Sequence, residues 1–481
     1  MNMQQDSSRI PQAGGRGNPS PSDGPAGAGE LRDPASHVDV AIVGGGFTGL
    51  AAAYELSRKG LSVAVLEADD EVGGLAAAFM VAGQKLDRFY HHWFTNDAEV
   101  MGLIDELGLN EHVEISPTNT GMYYANHFFK LSTPWDLLRF TPLSFFDRIR
   151  LGLLALRARR VRNWRELENK TAHEWLRELG GADVYRVVWE PLLKGKFGPY
   201  AEDISAVWFW NKLKLRGGSR GKGGEERLAY FKGGFVALAE ALAQQVREAG
   251  GRIELSTPVH AITPHDGQWA VEISKGRLTA GRVIATPALP LVADLVAGWA
   301  DAGYVDALRR IRYIGNVCLV LELERSLSDT YWLNVNDPSF PFVGVIEHTN
   351  FERPETYGGR HIVYLSKYLP VTDPLYALDA DAFLEYALPF LQRMFPRFER
   401  GWVKAHHLWR AEWSQPIVEK HYSALIPAED GPAPGFHLCS MAQIYPEDRG
   451  TNYAIREGRR IGRRLAGELA GENATSAHRP G

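Results

Sequence analysis

Leu86-Asp87-Arg88-Phe89-Tyr90-His91-His92-Trp93-Phe94-Thr95-Asn96-Asp97 crowds two imidazoles among aromatic rings. Side chains of these types can wall a planar redox-active ring and hold a proton-transfer group beside it. His91 and His92 are therefore the first candidates for catalysis. The plainer alternative is a pair of core histidines bonded to backbone, and on a strand two adjacent side chains face opposite ways, so one would turn aside. A second candidate is Pro191-Leu192-Leu193-Lys194-Gly195-Lys196-Phe197-Gly198. Lys194 and Lys196 on a glycine-flanked turn could meet a substrate phosphate or carboxylate, or act on a cofactor, although most lysines are simply solvated. No third ligand stands near the histidines at metal-binding spacing, so no metal is expected. The glycine-rich run from Arg216 to Gly224 lacks the Lys-Ser/Thr ending of a phosphate-binding P-loop, and no strand leads into it. It reads as an ordinary loop, with a basic lid over an anionic substrate as the alternative.

The elements that must position these groups begin at Val38. Val38 to Val43 form an apolar strand, and Gly44, Gly46 and Gly49 follow in G-x-G-x-x-G spacing, with Phe47 and Thr48 between them at the mouth of a helix running to about Lys59. Gly44 allows the tight turn, Gly46 lets backbone approach a pyrophosphate, and Gly49 lets helix and strand pack closely. The pyrophosphate would sit at the helix N-terminus, where the dipole favours negative charge. Gly60 stops the helix, Ser62 to Leu66 form the next strand, and Glu67 lies where an acid bonds a ribose hydroxyl pair. Strand, turn, helix, stop and acid together predict a dinucleotide site.

After Glu67 comes Ala68-Asp69-Asp70-Glu71-Val72-Gly73-Gly74-Leu75. With a Gly-Gly pair at this offset, the chain resembles the superfamily of FAD-dependent amine oxidases, protoporphyrinogen oxidases and phytoene desaturases. The resemblance implies an α/β fold, a discontinuous Rossmann-like FAD-binding domain of the glutathione-reductase type with an inserted α+β substrate domain. It also implies that Gly73, Gly74 and Leu75 line the cofactor, that Val259 meets its adenine, and that Gly450, Thr451, Asn452 and Tyr453 meet the flavin at a helix start. Two positions depart from the pattern: Leu75 stands where many amine oxidases carry Arg, and Ser440-Met441 where Gly-Asp is usual. The stretch around His91 is locally similar to UDP-galactopyranose mutases, in which His91 is the matching residue. Arg410, Trp413 and Tyr422 lie in a segment similar to the late substrate domain of protoporphyrinogen-oxidase-like proteins.

Organisation along the chain follows. Residues 1–37, rich in Gly, Pro, Ser and Ala, cannot bury enough apolar surface to offset chain entropy and read as a disordered tail, with 471–481 as a flexible C-terminus. Residues 38–119, 230–299 and 431–470 make the expected FAD domain, and 120–229 with 300–430 the substrate domain, its first part helical and its second rich in strands. Within the FAD blocks, Val259 to Ile262, Trp269 to Ile273 and Leu278 to Ala285 predict a meander with a turn at His265-Asp266-Gly267. Thr171 and Glu174 form a capping box. The 53 basic and 58 acidic residues leave −5, which gives no field favouring nucleic acid and points to a small-molecule partner. Two cysteines are too few for a disulfide framework and suit a reducing cytoplasm. The arginine-rich apolar stretch 142–162 reads either as a packed helix with a basic outer face or as a contact with a membrane surface. The expected function is FAD-dependent oxidation, a hydride passing from substrate to flavin. A non-redox flavoenzyme of the mutase type and a flavin-binding accessory subunit are the alternatives.

Overall fold

A computed structural model describes residues 37–130, 134–216 and 227–477. The tail to residue 36 and residues 217–224 of the glycine-rich run lie outside the described residues. β1 (His37–Val43) is apolar on both faces, as a central strand of a covered parallel sheet must be. It turns at Gly44, whose φ of +102° suits glycine, into α1 (Phe47–Ser57), and the chain returns in β2 (Val63–Leu66). The hairpin β3 (Ala78–Val81) and β4 (Gln84–Asp87), the short β5 (Trp93–Phe94), α2 (Ala98–Glu106) and β6 (Val113–Pro117) follow.

β7 (Thr120–Tyr124) and β8 (His127–Lys130) form a hairpin, so the first substrate block is not helical from its start. Ala125 and Asn126 in its two-residue loop both have positive φ, the geometry of a primed hairpin turn, which a Tyr-Ala-Asn-His sequence does not advertise. The helical block is α3 (Pro134–Leu138), α4 (Phe145–Arg160), α5 (Ala172–Gly180), α6 (Ala182–Val184), a π-helical turn at Tyr185–Trp189, α7 (Glu190–Phe197) and α8 (Ala206–Arg216). The Thr171–Glu174 capping box starts α5 as its sequence requires. Lys194 and Lys196 lie on α7, not on a turn. Pro191 presets the helical φ near its start, and Gly195 is tolerated where a Cβ would stand 3.0 Å from the Val343 side chain.

β9 (Arg227–Phe231) pairs with β5 and β6 in a small sheet. α9 (Phe235–Glu248), β10 (Arg252–Glu254), β11 (Val259–His265), β12 (Gln268–Ile273), β13 (Gly276–Ala285), α10 (Leu289–Val296) and α11 (Ala302–Arg310) complete the second block, with the meander and its turn where the sequence places them. The remainder is β14 (Tyr313–Leu323), β15 (Trp332–Val335), β16 (Gly344–Glu347), β17 (His361–Leu369), α12 (Ala380–Met394), β18 (Val403–Pro416), β19 (Phe436–Leu438) and α13 (Thr451–Ala477). α13 continues to Ala477, past the expected domain end at 470.

Two seven-stranded sheets organise these elements. One has the order β10-β2-β1-β13-β12-β11 with β19 beside β13; β1, β2, β10, β13 and β19 run parallel, and the β11–β13 meander is antiparallel. Its strands come from three separated stretches of chain. α1, α9 and α13 pack into the apolar layer on one face of it. The other sheet, β18-β14-β17-β16-β15-β7-β8, is antiparallel except where β15 meets β7, and α12 packs on it.

Candidate functional site

The glycine fingerprint holds its parts in contact. Gly73 N–H donates to the Gly45 carbonyl at 2.9 Å, joining the first glycine turn to the second pair. A Cβ on Gly49 would stand 2.0 Å from the Gly44 carbonyl oxygen, whereas nothing lies within 4 Å of the Cβ position on Gly46. Gly46 caps α1 without a side chain, so open space faces the positive end of the helix dipole. The buried Glu67 carboxylate accepts from Gly45 N–H at 2.5 Å and from Asp69 N–H at 2.9 Å. Thr257 N–H donates to the Glu67 carbonyl at 2.8 Å, which ties the segment leading into β11 to the acid's backbone.

A cavity of about 240 Å3 lies beyond Gly74. Leu75, His91, His92 and the whole Gly450–Tyr453 helix start line it together with Asn316, Trp332 and Tyr368 from the second sheet. It adjoins a more apolar cavity of about 290 Å3, and Tyr90, His92, Lys196, Lys212 and Tyr368 line both. His91 and His92 precede β5 in irregular backbone, so the strand rule does not apply and both reach the first cavity. Val259, Gly44 to Glu67 and Lys194 do not line either cavity. Lys194 is exposed and pairs with Glu190 at 2.7 Å, whereas Lys196 one turn edge away points inward.

Charge is unevenly distributed around the first cavity. Burial and the positive charge of Arg449 push His91 down to about 4, so its imidazole is neutral at neutral pH, and its Nδ1 has no hydrogen-bond partner. The ring stacks on Phe235 at 5.1 Å. His92 Nδ1 lies 3.2 Å from the Tyr331 hydroxyl. Burial pushes the Asp448 carboxyl up, yet Lys212, Lys196 and Arg449 together hold it well below the usual carboxylate range. Lys212 Nζ is 2.6 Å from that carboxylate, and Arg449 donates to Gln415 at 3.1 Å. Burial lowers Lys196, opposed by Tyr368 and Asp448. Burial raises the Tyr368 phenol, but Lys196 and Arg449 draw it below its ordinary value.

At the helix start, Thr451 Oγ1 accepts from the Trp93 indole at 2.6 Å. Asn452 Oδ1 accepts from Glu99 and Val100 N–H at 3.0 and 3.1 Å, and so caps α2 while bordering the cavity. Tyr368, Asn316, Lys212 and Asp448 were not singled out in the sequence. Asn316 is an isolated polar residue in an apolar stretch, Lys212 and Asp448 stand among other charged residues that mask them, and only the packing of distant parts of the chain brings the four together. Of the late-segment residues, Trp413 packs edge-on against Tyr313, Tyr422 is buried and donates to the Ala442 carbonyl, and Arg410 donates to the Tyr376 and Leu378 carbonyls away from the cavity.

Residues 47–466 match the family of flavin containing amine oxidoreductases. The chain belongs to that family. It is 30% identical over 275 residues to the "Putative flavin-containing monoamine oxidase AofH" of Mycobacterium tuberculosis, a match covering 53% of this chain and 58% of that one. It is 28% identical over 188 residues to the coproporphyrinogen III oxidase of Propionibacterium freudenreichii, covering 36% and 34%. The chain thus spans from about a third to just over half the length of these curated relatives. The solved "Putative protoporphyrinogen oxidase" of Exiguobacterium sp. 255-15 shares the fold, with a TM-score of 0.72 over 89% of this chain and 98% of that one at 18% identity. The family and the fold make FAD the cofactor. The open face of Gly46, the buried Glu67 carboxylate and the unpartnered His91 Nδ1 fit that group. The local likeness of the His91 stretch to UDP-galactopyranose mutases has no counterpart among these oxidases.

Proposed function

We propose that the protein oxidises a small-molecule substrate held in the paired cavities. Bound FAD supplies a two-electron acceptor at N5. Gly44, Gly46, Phe47, Thr48, Gly49 and Glu67 hold its adenosine–diphosphate end, Val259 its adenine, Gly73, Gly74 and Leu75 its middle, and Gly450, Thr451, Asn452 and Tyr453 its ring. His91 and His92 flank the ring side, and Lys196 reaches toward the substrate. Neutral His91 borders the ring as a hydrogen-bonding or proton-transfer group, and the apolar walls exclude water and orient the reacting carbon. The observation that carries the reading is one cavity lined both by Leu75 and Gly450–Tyr453 and by Asn316, Trp332 and Tyr368 of the second sheet. Anaerobic addition of a substrate should bleach the flavin absorbance, one product forming per flavin reduced. Net isomerisation with reduced flavin returned unchanged would favour the mutase mechanism instead; of the two arginines that could clamp a nucleotide diphosphate in that reading, Arg410 donates to backbone carbonyls outside the cavity and Arg449 lines it.

The exposed face of α3 and α4 supports a membrane-surface contact as the place from which substrate enters. Trp135 is 70% exposed, Phe145 58% and Phe146 74%, and Ile149, Leu153 and Leu156 continue the stripe at helical spacing. Arginines 148, 150, 157, 159, 160 and 162 surround it, against two acids, Asp136 on α3 and the buried Asp147. Aromatic and apolar residues flanked by arginine suit the boundary of an anionic bilayer. Inside, Leu151 packs with Val184, Val187 and Val188 beside Trp189, which lines the apolar cavity. Among the described residues no helix is long and apolar enough to cross a membrane. Flotation with phosphatidylserine vesicles should recover the protein at low salt, and F145S/F146S should abolish it. Equal recovery of the variant would remove the contact.

A further inference from the structure

We infer that the substrate is an amphiphile whose anionic head, a carboxylate or phosphate, is anchored by Lys196 and whose apolar body fills the second cavity. This rests on the reading of the paired cavities as the substrate site. Lys196 Nζ lies 4.7 Å from the centre of the Tyr368 ring, 5.7 Å from Trp208 and 5.8 Å from Phe197. Among the described residues no carboxylate lies within ion-pairing distance of it. The Asp448 carboxylate is engaged by Lys212 at 2.6 Å and is not among the residues lining the apolar cavity. Lys196 and Lys212 line that cavity, and no Asp or Glu does. The remaining wall is apolar, including Trp189, Leu193, Phe209, Leu213 and Val343.

The carboxylate that acts on Lys196, Asp448, is shared with Lys212 and Arg449, and partly buried positive charge in such excess is costly, so its retention at a cavity junction points to a counter-ion that arrives with the ligand. The aromatic rings around Lys196 stabilise the ammonium by cation–π attraction without neutralising it, which leaves its charge available to an anion. A protonated amine in the apolar cavity would meet two lysines, while the carboxylates Asp97 and Asp448 line only the adjoining cavity and Asp448 is already paired with Lys212, and like charges in a desolvated site repel strongly. The site is therefore selective against the cationic substrates that the family name suggests.

Calorimetric titration of the FAD-loaded protein with decanoate, decyl phosphate, decylamine and decanol tests this without turnover. At least one anion should bind at least about tenfold tighter than decylamine, the better anion identifying the head group. K196M should weaken that anion about tenfold and leave decanol unchanged, and K196R should restore it. Amine binding as tight as anion binding, no anion binding at all, or a K196M protein that melts like the wild type and keeps its anion preference would each overturn the inference. If K196M does not fold, the wild-type anion-to-amine ratio and K196R decide. Failure of the oxidase reading is distinguishable, because the flavin would then resist bleaching while the anion preference persisted.

Discussion

Gly458 and Gly462 on α13 face α1, and G458A perturbs that contact with little other change. A Cβ at 458 would stand 2.2 Å from the Thr48 carbonyl oxygen and 2.9 Å from the Ala51 Cβ; one at 462 would stand 2.7 Å from the Ala52 carbonyl oxygen. Restoring an ordinary carbon–oxygen separation requires the helices to part by about 1 Å. Overpacking of this kind costs about 1–3 kcal/mol, partly offset by up to about 1 kcal/mol of alanine helix propensity. The exposed Gly467 on the same helix has nothing within 4 Å of its Cβ position, so G467A should gain that propensity alone and be neutral or slightly stabilising. Because Thr48 lies in the first turn of α1 beside the glycine fingerprint, G458A should also weaken FAD about tenfold, or 1.4 kcal/mol. Urea unfolding followed by circular dichroism, with FAD titration of the apoprotein, measures both. A G458A protein with the midpoint of G467A and wild-type FAD affinity would refute the close-packing argument.

Two further outcomes follow from buried carboxyls. E67Q removes the charge from a carboxylate held by Gly45 and Asp69 N–H groups and should weaken FAD by about 1.5–3 kcal/mol, seen as faster flavin loss on dilution; unchanged retention would place the ribose elsewhere. Asp87 accepts from Tyr230 OH at 2.8 Å and Phe235 N–H at 3.0 Å, and burial pushes it up to about 7 from 3.8. Its native form keeps a proton that the unfolded chain releases, so stability from this group is full below the unfolded value and falls as pH rises toward 7, by at most about 1.4 kcal/mol per pH unit. D87N should lack that slope, so stability curves of the two proteins measured from pH 4 to 8 should diverge, and parallel curves would contradict the assignment.

The legible parts of the site were those coded within a few tens of residues. Gly44 to Glu67 is one strand–turn–helix–strand unit, whose fingerprint is local by construction. The meander at Val259 to Ala285 was equally legible, because alternation and a Asp-Gly turn specify it without reference to the rest of the chain. His91 and His92 were chosen for their chemistry, but their common orientation depends on irregular backbone before β5 that period-two reasoning excludes. Lys196 and Lys194 looked alike in sequence, and only the seating of α7 against β17 makes one inward and the other a surface ion pair. Tyr368, Lys212 and Asp448 lie on three elements far apart in the chain, so their convergence is a property of packing. The same holds for Gly458, whose role depends on which helix α13 meets.

On the proposed reading the reactive ring of FAD occupies the cavity where Leu75, the His91–His92 stretch and the start of α13 meet the second sheet. A crystal structure of the FAD-loaded protein tests it most directly. The account predicts the isoalloxazine in contact with Leu75, His91 and the Gly450–Thr451 turn, with its open face toward Lys196 and Tyr368. A ring bound outside that cavity, or one walled off from Lys196 and Tyr368 by protein, would contradict it.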